Sequence, residues 1–196
     1  MEGLAKQARS LKRINKLLDT AHELLETDSI DKITIANLAK LSELKRTSTY
    51  KFFPDPDHIK IALIKRYINE LNESINAMMT NDSHFDHQLC MTDMVKVIFD
   101  YFQNNIPAQK MILQNTVSPP VNSQLLHKLA KSLLKKIENK KSLPNMFNKE
   151  GVFLVITQII ISIFSLSAKE NERLDEVGFN EANRSSYAYF LSCTTK

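Results

Sequence analysis

Residue types that tight turns and covalent cross-links require are scarce in this 196-residue chain, which has three glycines, six prolines and two cysteines. A β-rich protein of this length needs many turns built on Gly, Asn or Asp, so the shortage of glycine argues against a β-rich fold. Cys90 and Cys193 lie far apart, which excludes a disulfide framework and a zinc-finger spacing. The first ten residues lack the apolar run of a signal peptide, so we expect a cytoplasmic protein.

Leucine, isoleucine and lysine are plentiful instead, and the apolar residues recur at helical spacing. Steps of three and four residues between them are typical of the buried face of a helix and predict an all-α fold of about nine helices. The clearest stripe consists of Leu11, Ile14, Leu17, Leu18, Ala21, Leu24 and Leu25. The predicted helices span roughly residues 5–25, 35–40, 45–52, 56–78, 91–104, 107–115, 121–139, 151–168 and 180–192.

Positive charge is concentrated in the first third of the chain. Residues 1–66 contain 13 Lys and Arg against 9 Asp and Glu, whereas residues 67–196 contain 13 of each kind. A positive surface attracts polyanions such as DNA, although this excess is also within the ordinary scatter for a segment of that length. The charge pattern therefore agrees with a nucleic-acid partner without establishing one.

A break at Pro54-Asp55-Pro56-Asp57 divides the chain into two predicted domains. Pro54 cannot continue a helix comfortably, while Asp55 is suited to cap the next helix with Pro56 at its first position. We therefore expect a three-helix head over residues 1–55 and a helical body over residues 56–196.

The segment from Thr34 to Phe53 resembles the helix-turn-helix of the TetR family of transcriptional regulators. The matching features are an opening threonine, an apolar-Ala pair in the second helix, an apolar residue in the turn, and a Tyr-x-aromatic-Phe ending. In this chain they are Thr34, Leu38-Ala39, Leu44 and Tyr50-Lys51-Phe52-Phe53. The amphipathic helix before the segment, the long helix after it and the length of the chain fit the same family.

The resemblance implies that eight residues of the second and third helices contact DNA. Arg46 and Thr47, together with Lys45 and Asn37, would reach base edges, because Arg commonly reads guanine through two hydrogen bonds. Four residues would hold phosphates: Thr34, Ser48, Tyr50 and Lys51. The alternative is that these are solvated surface residues, and that Tyr50 packs on the core with its hydroxyl at the surface.

The same resemblance implies a homodimer that binds a palindromic site in double-stranded DNA, usually as a repressor, and responds to a small effector. It implies no cofactor. A nucleotide-binding Gly-rich loop, a Gly-x-Ser-x-Gly elbow and an HExxH sequence are all absent from the chain, so we do not expect an enzyme. A second class remains open, in which the body is a protein-interaction scaffold and the head no longer reads a sequence.

Three positions depart from the family pattern. Glu43 and Ser29 stand where the family usually has glycine, and Pro56 stands where it often has a lysine that contacts phosphate. We expect the backbone at Glu43 and Ser29 to relax out of the left-handed conformation, since that conformation costs a non-glycine residue about 1 kcal/mol. Glu43 would repel phosphate, and Lys60 could replace the missing lysine.

The run from Gly151 to Ala168 contains no charged residue and has the minimum length of a membrane span. Polar residues interrupt it, and Glu150 and Lys169 bracket it without an aromatic belt. A helix that is apolar all round also suits a domain core combined with a subunit interface. We therefore expect no membrane span but a homodimer through the last two helices, which the resemblance implies pair as a four-helix bundle.

Methionines cluster between residues 78 and 111, in the region where the resemblance places an effector pocket. Because methionine is flexible and polarizable, it suits a surface that accommodates varied apolar ligands. The predicted lining residues are Met94, Ile98, Tyr101, Phe102 and Met111. The alternative is that these side chains fill an ordinary core.

His84, His87 and Cys90 are three residues apart, with Asp82 and Asp86 nearby, and could share one face of a helix. The adjoining Asn81-Asp82-Ser83 looks like a loop and helix cap instead. We therefore interpret the segment as a polar helix start and predict no metal site.

Overall fold

The computed structural model describes the backbone of residues 2–78, 86–115, 121–139 and 142–194, and the side chains of these ranges from Gln7 onward. Every regular element in these ranges is helical, which confirms the all-α prediction, and there are nine α-helices. They are α1 (Glu2–Thr27), α2 (Ile35–Leu41), α3 (Arg46–Phe52), α4 (Pro56–Ala77), α5 (His87–Gln103), α6 (Ile106–Ala108), α7 (Ser123–Glu138), α8 (Lys149–Glu170) and α9 (Glu176–Ser192).

Helices α5 and α9 begin about four residues earlier than the apolar periodicity predicted. In each case an aspartate just before the helix caps it. The Asp86 carboxylate accepts a hydrogen bond from the Gln88 N–H at 2.9 Å, and the Asp175 carboxylate accepts one from the Gly178 N–H at 2.9 Å. Such caps satisfy orphan N–H groups at a helix start and carry no apolar signal.

The head consists of α1, α2 and α3, as expected. Its core includes Leu17, Ala21 and Leu25 of α1 and Leu38 of α2, all with no exposed surface. The Thr34 hydroxyl accepts a hydrogen bond from the Asn37 N–H at 3.1 Å, so Thr34 is the cap of α2. This cap determines where α2 begins, and α2 in turn supports α3.

At the junction of head and body, Asp55 caps α4 and Pro56 is the first residue of that helix. The Asp55 carboxylate accepts a hydrogen bond from the His58 N–H at 3.1 Å, and the His58 ring Nδ1 lies 2.9 Å from its other oxygen. These contacts hold the pKa of Asp55 below its ordinary value, with the His58 side chain as the main cause. The break predicted at this position is therefore a well-defined helix start.

The body is built around α8, which packs against α7, α9 and the residues that follow α6. Phe153 and Phe164 of α8 are completely buried, and the Phe164 ring centroid lies 5.9 Å from that of Phe99 on α5. Among the described residues, α8 alone is long and apolar enough to cross a membrane, and 50% of its most apolar window is buried inside this single chain. A helix of a soluble core produces the same pattern.

The predicted helix 107–115 is not one α-helix. After α6 the chain continues as a π-helix, Gln109–Gln114. The side chains of this segment bond in two directions. The Lys110 ammonium donates to the carbonyl oxygens of Leu25 and Asp28, at 2.7 and 3.0 Å, at the end of α1. The Gln109 side chain accepts the Leu174 N–H at 2.9 Å, in the turn between α8 and α9.

Candidate nucleic-acid interface

Helix α3 packs against the rest of the head through its inward side. Thr49 is completely buried and its N–H donates to the Lys45 carbonyl at 3.1 Å, while Phe53 just after the helix is 7% exposed. Ala39 of α2 is buried as well, and its small side chain permits close approach of the two helices. A helix this short is marginal alone in water, so this packing keeps it formed.

The opposite side of α3 faces solvent. Arg46, Thr47, Tyr50 and Lys51 are exposed, as is the cap residue Lys45, and Ser48 is half-buried. The structure thus brings six of the eight predicted contact residues onto α3 and its start. Exposed donors and cations on a braced helix suit phosphate neutralisation and hydrogen bonding to base edges.

The other two predicted contact residues lie at the start of α2. Thr34 is half-buried, and its hydroxyl is already used as a cap. Asn37 is exposed, and its side-chain amide donates to the Lys32 carbonyl at 3.1 Å, which orients it across the start of α2. A hydroxyl oxygen can still donate its proton to a phosphate while it accepts the cap hydrogen bond.

Arg46 and Tyr50 form a pair one helical turn apart. The Arg46 guanidinium carbon lies 5.7 Å from the centre of the Tyr50 ring, and Nη2 lies 3.4 Å from the Tyr50 hydroxyl. The Tyr50 side chain is 44% exposed, so its ring is not part of the core. Because the ring supports the guanidinium face, less side-chain freedom is lost when Arg46 binds a partner.

The turn between α2 and α3 corrects one expectation and agrees with another. Glu43 has a φ of 57°, so its backbone keeps the left-handed conformation and does not relax. Ser29 has a φ of −85° and a ψ of 162°, an extended conformation open to any residue, so that position has relaxed. The N–H of Leu44 donates to the Ala39 carbonyl at 3.1 Å and fixes the turn geometry that Glu43 must satisfy.

We predict that Glu43→Gly and Glu43→Gln separate the two penalties of this residue. Glycine removes the backbone strain and raises the free energy of unfolding by up to about 1 kcal/mol, whereas glutamine keeps the strain. Both remove a negative charge near the proposed DNA surface and should raise DNA affinity severalfold. Urea unfolding and fluorescence anisotropy measure the two effects, and a glutamine variant as stable as the glycine variant would contradict the strain argument.

The missing lysine at the start of α4 is not replaced by Lys60. The Lys60 ammonium lies 3.0 Å from the Asp57 carboxylate, and its side chain is only 16% exposed. Lys60 is therefore committed to an ion pair within α4 and is not directed outward as a phosphate contact.

The five residues predicted to line an effector pocket lie together in the body. Met94, Ile98, Phe102 and Met111 are at most 2% exposed and belong to the hydrophobic core, and Tyr101 packs against it half-buried. Three cavities of about 600, 420 and 320 Å³ among the described residues are lined by other side chains. At so little exposure, Met94, Ile98, Phe102 and Met111 leave no open surface for a ligand in this structure.

A chain of polar contacts links the body to the head and has almost no signal in the sequence. The Tyr101 hydroxyl donates to the Glu70 carboxylate at 3.0 Å, and the other Glu70 oxygen accepts from Arg66 Nε at 3.0 Å. Arg66 Nη1 in turn donates to the Asp19 carboxylate of α1 at 2.6 Å. Burial, and then the negative charge of Glu70, raises the pKa of Tyr101, so the hydroxyl stays protonated as a donor. The only signal in the sequence was the spacing of Arg66 and Glu70, four residues apart.

His84 and Asp82, two members of the metal-site candidate, lie outside the described residues. Within the described ranges no three His, Cys, Asp or Glu side chains are grouped closely enough to hold a metal ion. Asp86 caps α5, as the interpretation of a polar helix start requires.

Comparison with known proteins finds one kind of relative by sequence and several by structure. The chain is 26% identical over 86 residues to the HTH-type transcriptional regulator EthR of Mycobacterium tuberculosis. The match spans 44% of this chain and 40% of that regulator, so it covers less than half of the relative. No protein-family model matches the chain.

Solved structures match over nearly the whole chain. A TetR-family regulator from Streptomyces coelicolor superimposes with a TM-score of 0.72 and 17% identity, covering 93% of this chain and 98% of its own. A TetR regulator from Rhodococcus sp. RHA1 gives 0.69 and 12% identity, covering 94% and 98%. At these identities the likeness establishes the fold, and with it the predicted arrangement of helix-turn-helix head and helical body.

Proposed function

We propose that this chain, which has the fold of the TetR family of transcriptional regulators, is itself a sequence-specific DNA-binding regulator, and a repressor in the sense usual for that fold. The observation that carries the proposal is the outer face of α3, where Arg46 and Tyr50 stand exposed and mutually supported on a braced helix. Base edges would be contacted by Arg46, Thr47, Lys45 and Asn37. Phosphates would be contacted by Thr34, Ser48, Tyr50 and Lys51. No catalytic residue or cofactor is part of the proposal, and it places the protein in the cytoplasm with the DNA.

The active form would be a homodimer through α8 and α9. Large apolar side chains on these two helices are exposed in the single chain: Val155 is 40%, Leu166 61%, Val177 66% and Leu191 49% exposed. A second copy related by a two-fold axis would cover them. It would also place two α3 helices in successive major grooves, which requires a palindromic site. The head of residues 1–55 would read DNA, and residues 56–196 would dimerise and regulate.

Regulation would come from a small apolar effector that enters among Met94, Ile98, Tyr101, Phe102 and Met111. These side chains fill the site themselves in this structure, so the ligand would displace flexible methionines into other rotamers. Met111 belongs to the π-helix, an irregular geometry often found at functional sites. Tyr101 is bonded toward the head through Glu70, so a displaced Tyr101 would disturb the contact to α1.

We predict that a panel of small apolar compounds contains some that raise the melting temperature of the protein. A ligand at about 100 times its Kd stabilises by about 2.7 kcal/mol, which corresponds to roughly 5–10 °C for a chain of this size. The double variant Met94→Leu/Met111→Leu keeps the core volume and should reduce the shift, whereas Met146→Leu should not. A panel that shifts nothing, or shifts all three proteins equally, counts against this site.

Selection of duplexes from a random DNA pool at near-physiological salt tests the proposed function itself. A sequence-specific dimer enriches a palindrome and keeps its preference as salt rises, although its affinity falls.

The second candidate function, an interaction scaffold, is favoured by Glu43, an exposed carboxylate beside α3, and by the largely buried Lys60. The scaffold would be favoured if the folded dimer enriches no DNA motif. The same result should then hold in the presence of any compound found to bind the protein.

A further inference from the structure

We propose that the first half of α1 is a second DNA-contacting surface, which binds the phosphates of the duplex beside the site read by α3. The inference rests on the proposed function and extends the interface beyond the helix-turn-helix. Residues 3–18 contain five Lys and Arg and no Asp or Glu, in a chain whose two charge types are otherwise nearly balanced. All of these residues belong to α1.

The cations of this segment share one side of the helix. At 3.6 residues per turn, four of them fall within an arc of about 100°. They are Arg9, Lys12, Arg13 and Lys16, which we call the basic stripe, and all four side chains are exposed. The stripe lies opposite the buried side that carries Leu17, Ala21 and Leu25.

The stripe extends past the packed part of the head. Leu11, on the apolar side of α1, is 54% exposed, whereas Leu17, less than two turns later, is completely buried. The helix rises about 1.5 Å per residue, so Arg9 lies about 10 Å beyond Lys16 along the axis. A helix that projects from its domain with a cationic side and little to pack against has surface left for a partner.

Lys16 connects the basic stripe to the reading head. Its ammonium lies 4.0 Å from the Glu43 carboxylate, in the turn that leads into α3. The stripe therefore begins beside the helix-turn-helix and runs away from it along α1. DNA carries one phosphate charge per about 1.7 Å of its axis, so a stripe of about 10 Å can meet several phosphates. Lys16 also offsets the charge of Glu43 where that carboxylate would oppose DNA.

The stripe fits DNA better than a lipid surface. A helix that binds a membrane by lying in the interface needs a continuous apolar side beside its cations. Between residues 7 and 16 the apolar side offers only Ala8, Leu11 and Ile14, and Ile14 is half-buried in the head. Phosphate binding needs only the cations.

The triple variant Arg9→Gln/Lys12→Gln/Arg13→Gln tests the proposal, because glutamine removes the charges and keeps helix propensity. Lys128→Gln/Lys131→Gln/Lys135→Gln is the matched control, since these three lysines are exposed on α7 and carry the same total charge. Affinity for the selected operator is measured against salt concentration, on duplexes with and without ten extra flanking base pairs.

We expect the α1 variant to lose at least tenfold in affinity at physiological salt and to keep the operator preference. The slope of log affinity against log salt should become shallower by about 0.9 per lost phosphate contact, which is about 5 for six contacts in a dimer. Flanking base pairs should raise the DNA affinity of the unaltered protein and of the control variant, but not that of the α1 variant. Circular dichroism checks that the variant is folded.

An unchanged salt slope in a folded α1 variant overturns this inference and leaves the proposed function intact. If the unaltered protein selects no operator, the proposed function fails instead. Vesicles of phosphatidylcholine with phosphatidylserine test the alternative partner, an anionic lipid surface. Vesicle binding that requires the basic stripe, with no effect of the stripe on DNA affinity, would overturn the assignment to DNA.

Discussion

Replacing Arg46 and Tyr50 together by alanine should lower operator affinity at least a hundredfold, without unfolding the protein. A side chain that reads a base by paired hydrogen bonds contributes about 1–3 kcal/mol, and each loss occurs in both subunits of a dimer. The two residues also support each other, with the Arg46 guanidinium over the Tyr50 ring and bonded to its hydroxyl. Removal of either one therefore also releases the other from its orientation.

The matched control is Phe147→Ala/Arg173→Ala, which removes one aromatic ring and one guanidinium from exposed positions in the body. It should bind the operator as the unaltered protein does, in fluorescence anisotropy at fixed salt.

Two milder variants separate the contributions of Arg46 and Tyr50 to operator affinity. Arg46→Lys keeps the charge and loses the fork geometry, so it should relax sequence preference at unchanged salt slope, and Tyr50→Phe should lose only the hydroxyl contacts. Operator binding by the double variant at full strength would exclude α3 as the reading helix.

Replacing Phe102 by alanine should cost about 3–5 kcal/mol of the free energy of unfolding, a large share of the roughly 5–15 kcal/mol typical of a folded domain. Phe102 has no exposed surface, and its ring lies 5.4 Å from that of Tyr101 in an edge-on contact. The reason for the large cost is that a filled core cannot close fully around the space left behind. Chemical denaturation measures the loss.

The same variant distinguishes a filled core from an open pocket. If Phe102 faced a preformed cavity, part of its ring would have no neighbours to lose, and the cost would approach the transfer value of about 1.5–3 kcal/mol. A closed core should instead gain a new apolar cavity, and benzene should then stabilise the variant but not the unaltered protein. Phe147→Ala, at a fully exposed position, is the control and should change stability little.

Much of the head could be predicted from the sequence because its signals are local. Thr34 marks the start of α2 by its own hydroxyl, and Asp55 with Pro56 marks the start of α4, so each boundary is determined by one or two residues. The outward residues of α3 follow from periodicity once its inward side is known. The caps Asp86 and Asp175 are also local signals, but they lie outside the apolar stripes, so the stripes alone predict both helix starts too late.

The turn at Glu43 could not be predicted from the residue alone. A glutamate is normally expected to avoid the left-handed region, but the hydrogen bond from Leu44 to Ala39 and the packing of α2 against α3 require that backbone there. Ser29 also stands where the family usually has glycine, but it adopts an extended conformation. The sequence gives no sign of this difference in backbone conformation between Ser29 and Glu43, which arises from tertiary packing.

The π-helix and the polar chain from Tyr101 to Asp19 depend on contacts between residues distant in sequence. Lys110 reaches α1 across 85 positions, and Tyr101 reaches Glu70 across 31. Nothing near either residue in the sequence indicates a partner. The connection between body and head therefore emerges only from the assembled fold.

The π-helix Gln109–Gln114 bonds at once to the end of α1, through Lys110, and to the turn between α8 and α9, through Gln109 and Gln114. One side of this segment thus contacts the head, which is proposed to read DNA, and the other contacts the turn between the two helices proposed to pair the subunits. Binding free energies coupled in this way are reciprocal. If an operator favours one placement of α1, it must strengthen or weaken subunit association by the same factor by which dimerisation alters operator affinity. The cellular concentration of the protein would then set its occupancy of DNA more steeply than a single-site equilibrium allows.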